Sequence, residues 1–147
     1  MNLAKCFRAL VVGLAAGLGL GLSNGAWAAD VVVVVSARNP VTALSRNQIA
    51  DIFLGKTGSF PYGSHAVPID QAEGAGARDA FYATFTGKSA AQVKAYWSKI
   101  IFTGRGQPPR QVANGAEAKK LIAENPNAIG YIEPDLVDGS VKVLLLQ

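Results

Sequence analysis

The stretch Val67-Pro68-Ile69-Asp70-Gln71-Ala72-Glu73-Gly74-Ala75-Gly76-Ala77-Arg78-Asp79-Ala80-Phe81-Tyr82-Ala83-Thr84-Phe85 decides how this chain is read. Its pattern predicts a short strand over Val67–Ile69, a small-residue loop over Asp70–Gly76 and a helix over Ala77–Phe85. A strand that enters a helix through a Gly-containing loop is an α/β unit. It leaves unpaired backbone N–H groups at the helix start, where the helix dipole adds positive potential, and anions bind at such places. Gly74, Ala75, Gly76, Ala77 and Arg78 are therefore the first candidate ligand-binding residues. The reading favours solvent for Arg78, since exposed arginine near a helix start is ordinary. Asp70 and Glu73 are expected to cap the following helix and not to act as a catalytic pair.

Strands and helices alternate on either side. Val31–Val35 is an unbroken β-branched run, the mark of a strand buried on both faces in the middle of an α/β sheet. Ser45-Arg46-Asn47-Gln48 has the form of a capping box and opens a helix over Arg46–Leu54, closed by Gly55. Ser89-Ala90-Ala91-Gln92 is a second capping box. The helix it opens runs to about Phe102, with Val93, Tyr96, Trp97, Ile100 and Ile101 on one broad face; Tyr96, Trp97 and Phe102 are assigned to the core. Thr103–Val112, with two glycines and Pro108-Pro109, is expected to be irregular. Asn114 caps a helix over Ala116–Glu124, and Asn125-Pro126 stops it. Ala128–Ile132 and Val141–Leu146 are the last two strands. This order implies an α/β domain with a mainly parallel sheet flanked by helices.

The first residues stand apart. Lys5 and Arg8 precede an apolar run, Ala9–Leu22, and Ala26-Trp27-Ala28 is a small-x-small cleavage sequence. Residues 1–28 are expected to be a secretory signal peptide, because the run is short and glycine-rich for a membrane anchor. Residues 29–147 are then one domain in the periplasm, not membrane-spanning once the signal is cleaved. The only cysteine, Cys6, leaves with the signal. A chain of this length buries roughly two thirds of its surface and needs no disulfide.

Loss of Lys5 and Arg8 from 14 basic residues leaves 12 against 10 acidic ones, so the charge falls from +4 to +2. No basic block is interleaved with aromatic residues, which gives nucleic-acid binding no support. The reading identifies no catalytic residue, no metal ligands and no cofactor. The one histidine, His65, is a loop residue, and the mature chain has no thiol nucleophile. Ser36 and Arg38 follow the first strand. Ligands in open α/β sheets sit beyond the carboxyl ends of strands, so both join the candidate ligand-binding residues. Arg105 and Arg110, around Pro108-Pro109, could face an anion, a partner or solvent.

Several phrases resemble one family. Leu44-Ser45 with Gln48-Ile49-Ala50-Asp51-Ile52-Phe53-Leu54-Gly55 is similar to a helix of phosphate ABC transporter substrate-binding proteins. Trp97 with Phe102-Thr103-Gly104 and Pro108-Pro109 is similar to a phrase of the small members. Asn125-Pro126-Asn127-Ala128-Ile129-Gly130-Tyr131-Ile132 resembles a strand near the end of the second lobe. The resemblance implies the type 2 periplasmic binding fold. In that fold two α/β lobes enclose an oxyanion, and this chain corresponds to a three-layer single lobe. It also marks a departure. Full-length relatives carry Arg-x-Asp-x-Ser-Gly-Thr at the ligand loop, where this chain has Gln71, Ala72, Glu73, Gly74, Ala75, Gly76 and Ala77. The guanidinium is replaced by an amide and both hydroxyls by methyls. Charge-assisted hydrogen bonds contribute roughly 1.5–3 kcal/mol and neutral ones roughly 0.5–1.5 kcal/mol, so the side-chain half of a phosphate site is lost. The expected function is a secreted, non-enzymatic solute-binding module for phosphate or another small oxyanion. The alternative is an envelope scaffold that has lost the ligand site and docks on a partner protein or on itself as a homodimer.

Overall fold

The computed structural model describes residues 30–147; the expected signal peptide lies outside them. Five strands form the main sheet: β1 (Val32–Ser36), β3 (Val67–Gln71), β4 (Arg110–Val112), β5 (Ala128–Ile132) and β6 (Val141–Val143). Their order is β4-β3-β5-β1-β6. Strands β3, β4 and β5 are parallel neighbours. Strand β1 runs against both β5 and β6, so four of the five strands point one way. A two-stranded parallel sheet pairs β2 (Ala43–Leu44) with β7 (Leu145–Leu146). Among the described residues the α-helices are α1 (Arg46–Phe53), α2 (Gly76–Thr86), α3 (Ala90–Phe102) and α4 (Gly115–Glu124).

The valine run behaves as its lack of alternation predicts. Val33 and Val35 pack into the core shared with α1, α2 and α3, while Val34 faces the core under α4. Strand β5 divides in the same way, with Ile129 and Tyr131 on one side and Ala128 and Ile132 on the other. The result is three layers. Gly130 leaves room for α4: a Cβ there would lie 2.5 Å from Ile122 Cδ1 of α4 and 3.2 Å from the Ile69 carbonyl of the neighbouring strand. Both predicted capping boxes form, with Ser45 accepting from Gln48 N and Ser89 from Gln92 N. Gly55 and Gly87 close α1 and α2 with left-handed backbone.

The structure corrects four readings. Residues 110–112 are not irregular: they form an edge strand, too short to announce itself beside two prolines. The last strand is two strands, because Leu144 is buried and donates its N–H to Val33 O at 2.9 Å, which turns the chain from β6 toward β2. Strand β3 extends through Asp70 and Gln71, which the sequence placed in the loop. Phe102 is 92% exposed and Ile101 55% exposed, whereas Trp97 is core and Tyr96 is half-buried. At 3.6 residues per turn, Phe102 lies more than a third of a turn around the helix from Trp97.

Candidate functional site

The carboxyl end of β3 carries a buried polar cluster. Asp70 is 1% exposed. Its Oδ1 accepts from Gln71 N at 2.8 Å and from the Tyr131 hydroxyl, and its Oδ2 accepts from the Tyr82 hydroxyl at 2.7 Å. Arg78 Nε completes the set, 3.4 Å from Oδ2. Arg78 itself is buried, and its guanidinium carbon stands 5.1 Å from the centre of the Tyr82 ring. Arg78 and Tyr82 are one turn apart on α2, so both face the sheet at the point where β3 ends. Burial, then the neighbouring Asp70 carboxylate, push both phenols well above their ordinary value of 10.0. They therefore stay protonated and act as donors. A buried carboxylate needs this density of donors, since an unpaired buried charge is strongly unfavourable.

The expectations for Asp70 and Arg78 are overturned here. Asp70 does not cap α2, because it belongs to the strand and points into the protein. Arg78 is not a solvated surface residue, because that same carboxylate draws it inward. Nothing local signals either role. Tyr131 is 61 residues from Asp70, and only the fold brings it near.

The start of α2 is otherwise open. The N-cap, Ala75, has no side chain that can accept from the first turn. Gly74 adopts φ +91°, a backbone that residues with a Cβ rarely adopt. Among the described residues, the N–H groups of Gly74, Gly76 and Ala77 donate to no protein acceptor, and neither does either Nη of Arg78. Gly74 and Gly76 are exposed, while Ala77 is buried. Gln71 is buried and donates Nε2 to Tyr131 O at 3.0 Å, so its amide is used internally. Glu73 meets Lys94 at 3.6 Å in an exposed pair, which contributes little.

Ser36 and Arg38 are not brought to this place. Val35 pairs with Ile129, and Val67 with Ala128, so the carboxyl end of β1 lies beside the amino end of β3. The strand-end rule was applied to β1 as though it ran with the others. The two residues instead complete the end of α4. Arg38 Nη2 donates to Glu124 O at 3.0 Å and Ala123 O at 3.4 Å, and Ser36 Oγ donates to Ala123 O at 3.5 Å. Beside them Asn39 joins Val41 N and Pro126 O at 2.8 Å each. His65 is exposed. No group of three potential metal-ligating side chains occurs among the described residues, and no described helix is long and apolar enough to cross a membrane.

Comparison with solved structures places this arrangement in a class. The described lobe has the α/β fold of the periplasmic binding proteins. More particularly, it is similar to a Clostridium perfringens protein described as a phosphate ABC transporter substrate-binding protein with bound phosphate. That match has a TM-score of 0.62 and 28% identity, and covers 79% of this chain and 44% of that one. An ABC-type phosphate transport receptor from Vibrio cholerae matches with a TM-score of 0.62 at 23% identity, over 79% of this chain and 45% of its own. PstS of Borrelia burgdorferi reaches 0.58 at 14% identity, over 80% and 47%. The chain thus spans less than half the length of the structures it matches. No family model and no curated sequence matches it.

Proposed function

We propose that this protein is a non-enzymatic solute-binding module, secreted to the periplasm, that holds a small oxyanion such as phosphate at the start of α2. The observation that carries this reading is the set of donors left over there: the N–H groups of Gly76 and Ala77, and an Arg78 guanidinium held through Nε while both Nη groups are free. The Asp70 carboxylate fixes Arg78 in place, which lowers the ordering cost of binding. The similarity to phosphate-binding proteins supports the same ligand class. The absent hydroxyls and the open loop make the binding weak.

Isothermal titration with phosphate and sulfate tests this reading. The expected result is saturable heat at millimolar ligand, with amide shifts confined to residues 73–79. No heat and no shift at those concentrations would sink it. A second reading, docking on an envelope partner or a second copy, rests on exposed apolar side chains at the end of α3 and in β7: Phe102 at 92% and Leu145 at 68%. Sedimentation as a strict monomer, with no partner retained from an envelope extract, counts against it.

A further inference from the structure

A cavity lies toward the amino end of β3, away from the loop that opens α2. It has a volume of about 670 Å³, inside the range of about 300–1,000 Å³ typical of small-molecule sites. Its walls are the end of α1 at Leu54 and Gly55, the last turns of α3 from Tyr96 to Ile100, and the connection from Thr103 to Gln107. An adjoining cavity shares Gly55, Trp97 and Gln107 and reaches Val67 and Pro68, where β3 begins. The α2 loop follows the other end of that strand, so the two sites are separate.

The chemistry of these walls is one-sided. Tyr96, Trp97 and Ile100 supply an apolar floor. Lys99 and Arg105 supply two cations, and no carboxylate lines the cavity. Cations near helix C-termini often serve only to satisfy terminal carbonyls, but here those carbonyls have other donors. Leu54 O accepts from the Tyr96 hydroxyl at 2.6 Å. Lys99 O and Ile100 O accept from the Thr103 hydroxyl at 3.0 and 3.1 Å, and the N–H groups of Thr103, Gly104 and Arg105 take Lys99 O, Ile101 O and Ile100 O, each at 3.1 Å. Lys99 and Arg105 form no ion pair among the described residues. The buried indole N–H of Trp97 also has no acceptor. The cavity therefore offers apolar surface and positive charge together, with Leu54 O, Lys99 O and Ile100 O already used.

We propose that this cavity binds an amphipathic organic anion, with the apolar body against Tyr96, Trp97 and Ile100 and the carboxylate or sulfonate against Lys99 and Arg105. The test uses the full chain carrying Trp27→Phe, which leaves Trp97 as the only tryptophan. Titrations with 4-phenylbutyrate and with its uncharged analogue 4-phenylbutanol are read by Trp97 emission. The expected result is a saturable change with the acid and binding at least about tenfold weaker for the alcohol, the scale of one charge-assisted hydrogen bond. The double variant Lys99→Gln/Arg105→Gln, both residues being exposed, is expected to keep its melting temperature and lose about tenfold in affinity for the acid. The single variant Arg105→Gln gives the same readout if the double one folds poorly. No saturable change, equal binding of acid and alcohol, or full affinity in the variants overturns the proposal.

Discussion

The two ends of the main sheet offer an instructive contrast. At one end Asp70, Arg78, Tyr82 and Tyr131 gather where β3 meets α2. At the other, Ser36, Arg38 and Asn39 gather where β1 meets the end of α4. Both groups are polar, both follow a strand, and the sequence nominated members of both as ligand-binding. They differ in what remains unused. The Ser36–Asn39 donors act on Ala123 O and Glu124 O, carbonyls that a helix end leaves without partners, and on Pro126 O just beyond it. That is a cap, and its arginine, unlike the buried Arg78, is exposed. The Asp70 cluster saturates one carboxylate while leaving both Nη groups of Arg78 and several amides with no acceptor. A polar strand end is a candidate site only when donors or acceptors remain after the fold has taken its share.

The strongest way to break this contrast is Asp70→Ala. It would leave a buried guanidinium unpaired and remove the acceptor of two phenols. The expected loss of stability is about 3–5 kcal/mol, the usual result of removing one partner of a buried ion pair, measured by urea unfolding. A loss under about 1 kcal/mol would mean that Arg78 reaches water and that the pair behaves like a surface one.

A milder test is alkaline pH. Burial raises the Tyr82 and Tyr131 hydroxyls above 10.0 in the folded protein. In the unfolded chain they titrate near the ordinary tyrosine value. The stability they contribute is fully present below that value and falls as pH rises past it, since the unfolded state then releases protons that the folded state keeps. The melting temperature is expected to hold to about pH 9.5 and then drop, and Tyr82→Phe/Tyr131→Phe should remove most of that pH dependence. A flat melting profile through pH 11 would contradict the buried-donor account.

The smallest effect is predicted for Arg38→Gln at the capped end. A cation at a helix C-terminus contributes about 0.3–1 kcal/mol, so the midpoint of unfolding should shift slightly and phosphate binding should not change. A loss of phosphate binding in Arg38→Gln would return Ser36 and Arg38 to the ligand site and undo the contrast.

Much of the architecture was legible in local patterns. The two capping boxes, the glycines after α1 and α2, and the unbroken valines of β1 each specify their own neighbourhood through short-range geometry. The unit from β3 through the loop to α2 was legible for the same reason, since a strand–loop–helix sequence fixes where N–H groups point. The direction of β1 was not. A buried strand reads the same whichever way it runs, and only its pairing with Ile129–Ile132 settles which end of the sheet Ser36 and Arg38 reach. Edge strand β4 and the break at Leu144 were also hidden, because both depend on what lies alongside and not on their own residues.

For this protein the amino-acid sequence by itself determined the positions of α1 to α4, their caps, the doubly buried central strand and the strand–loop–helix unit around Gly74, because each follows from residues within one or two turns of each other. Only the tertiary structure decided what the polar residues do. Asp70 became the centre of a buried cluster because Tyr131, far along the chain, lies beside it. Arg78 turned inward because that carboxylate required a partner. Ser36 and Arg38 became caps because β1 runs against its neighbours. A charge takes the role that burial and available partners allow, and those are properties of the assembled fold.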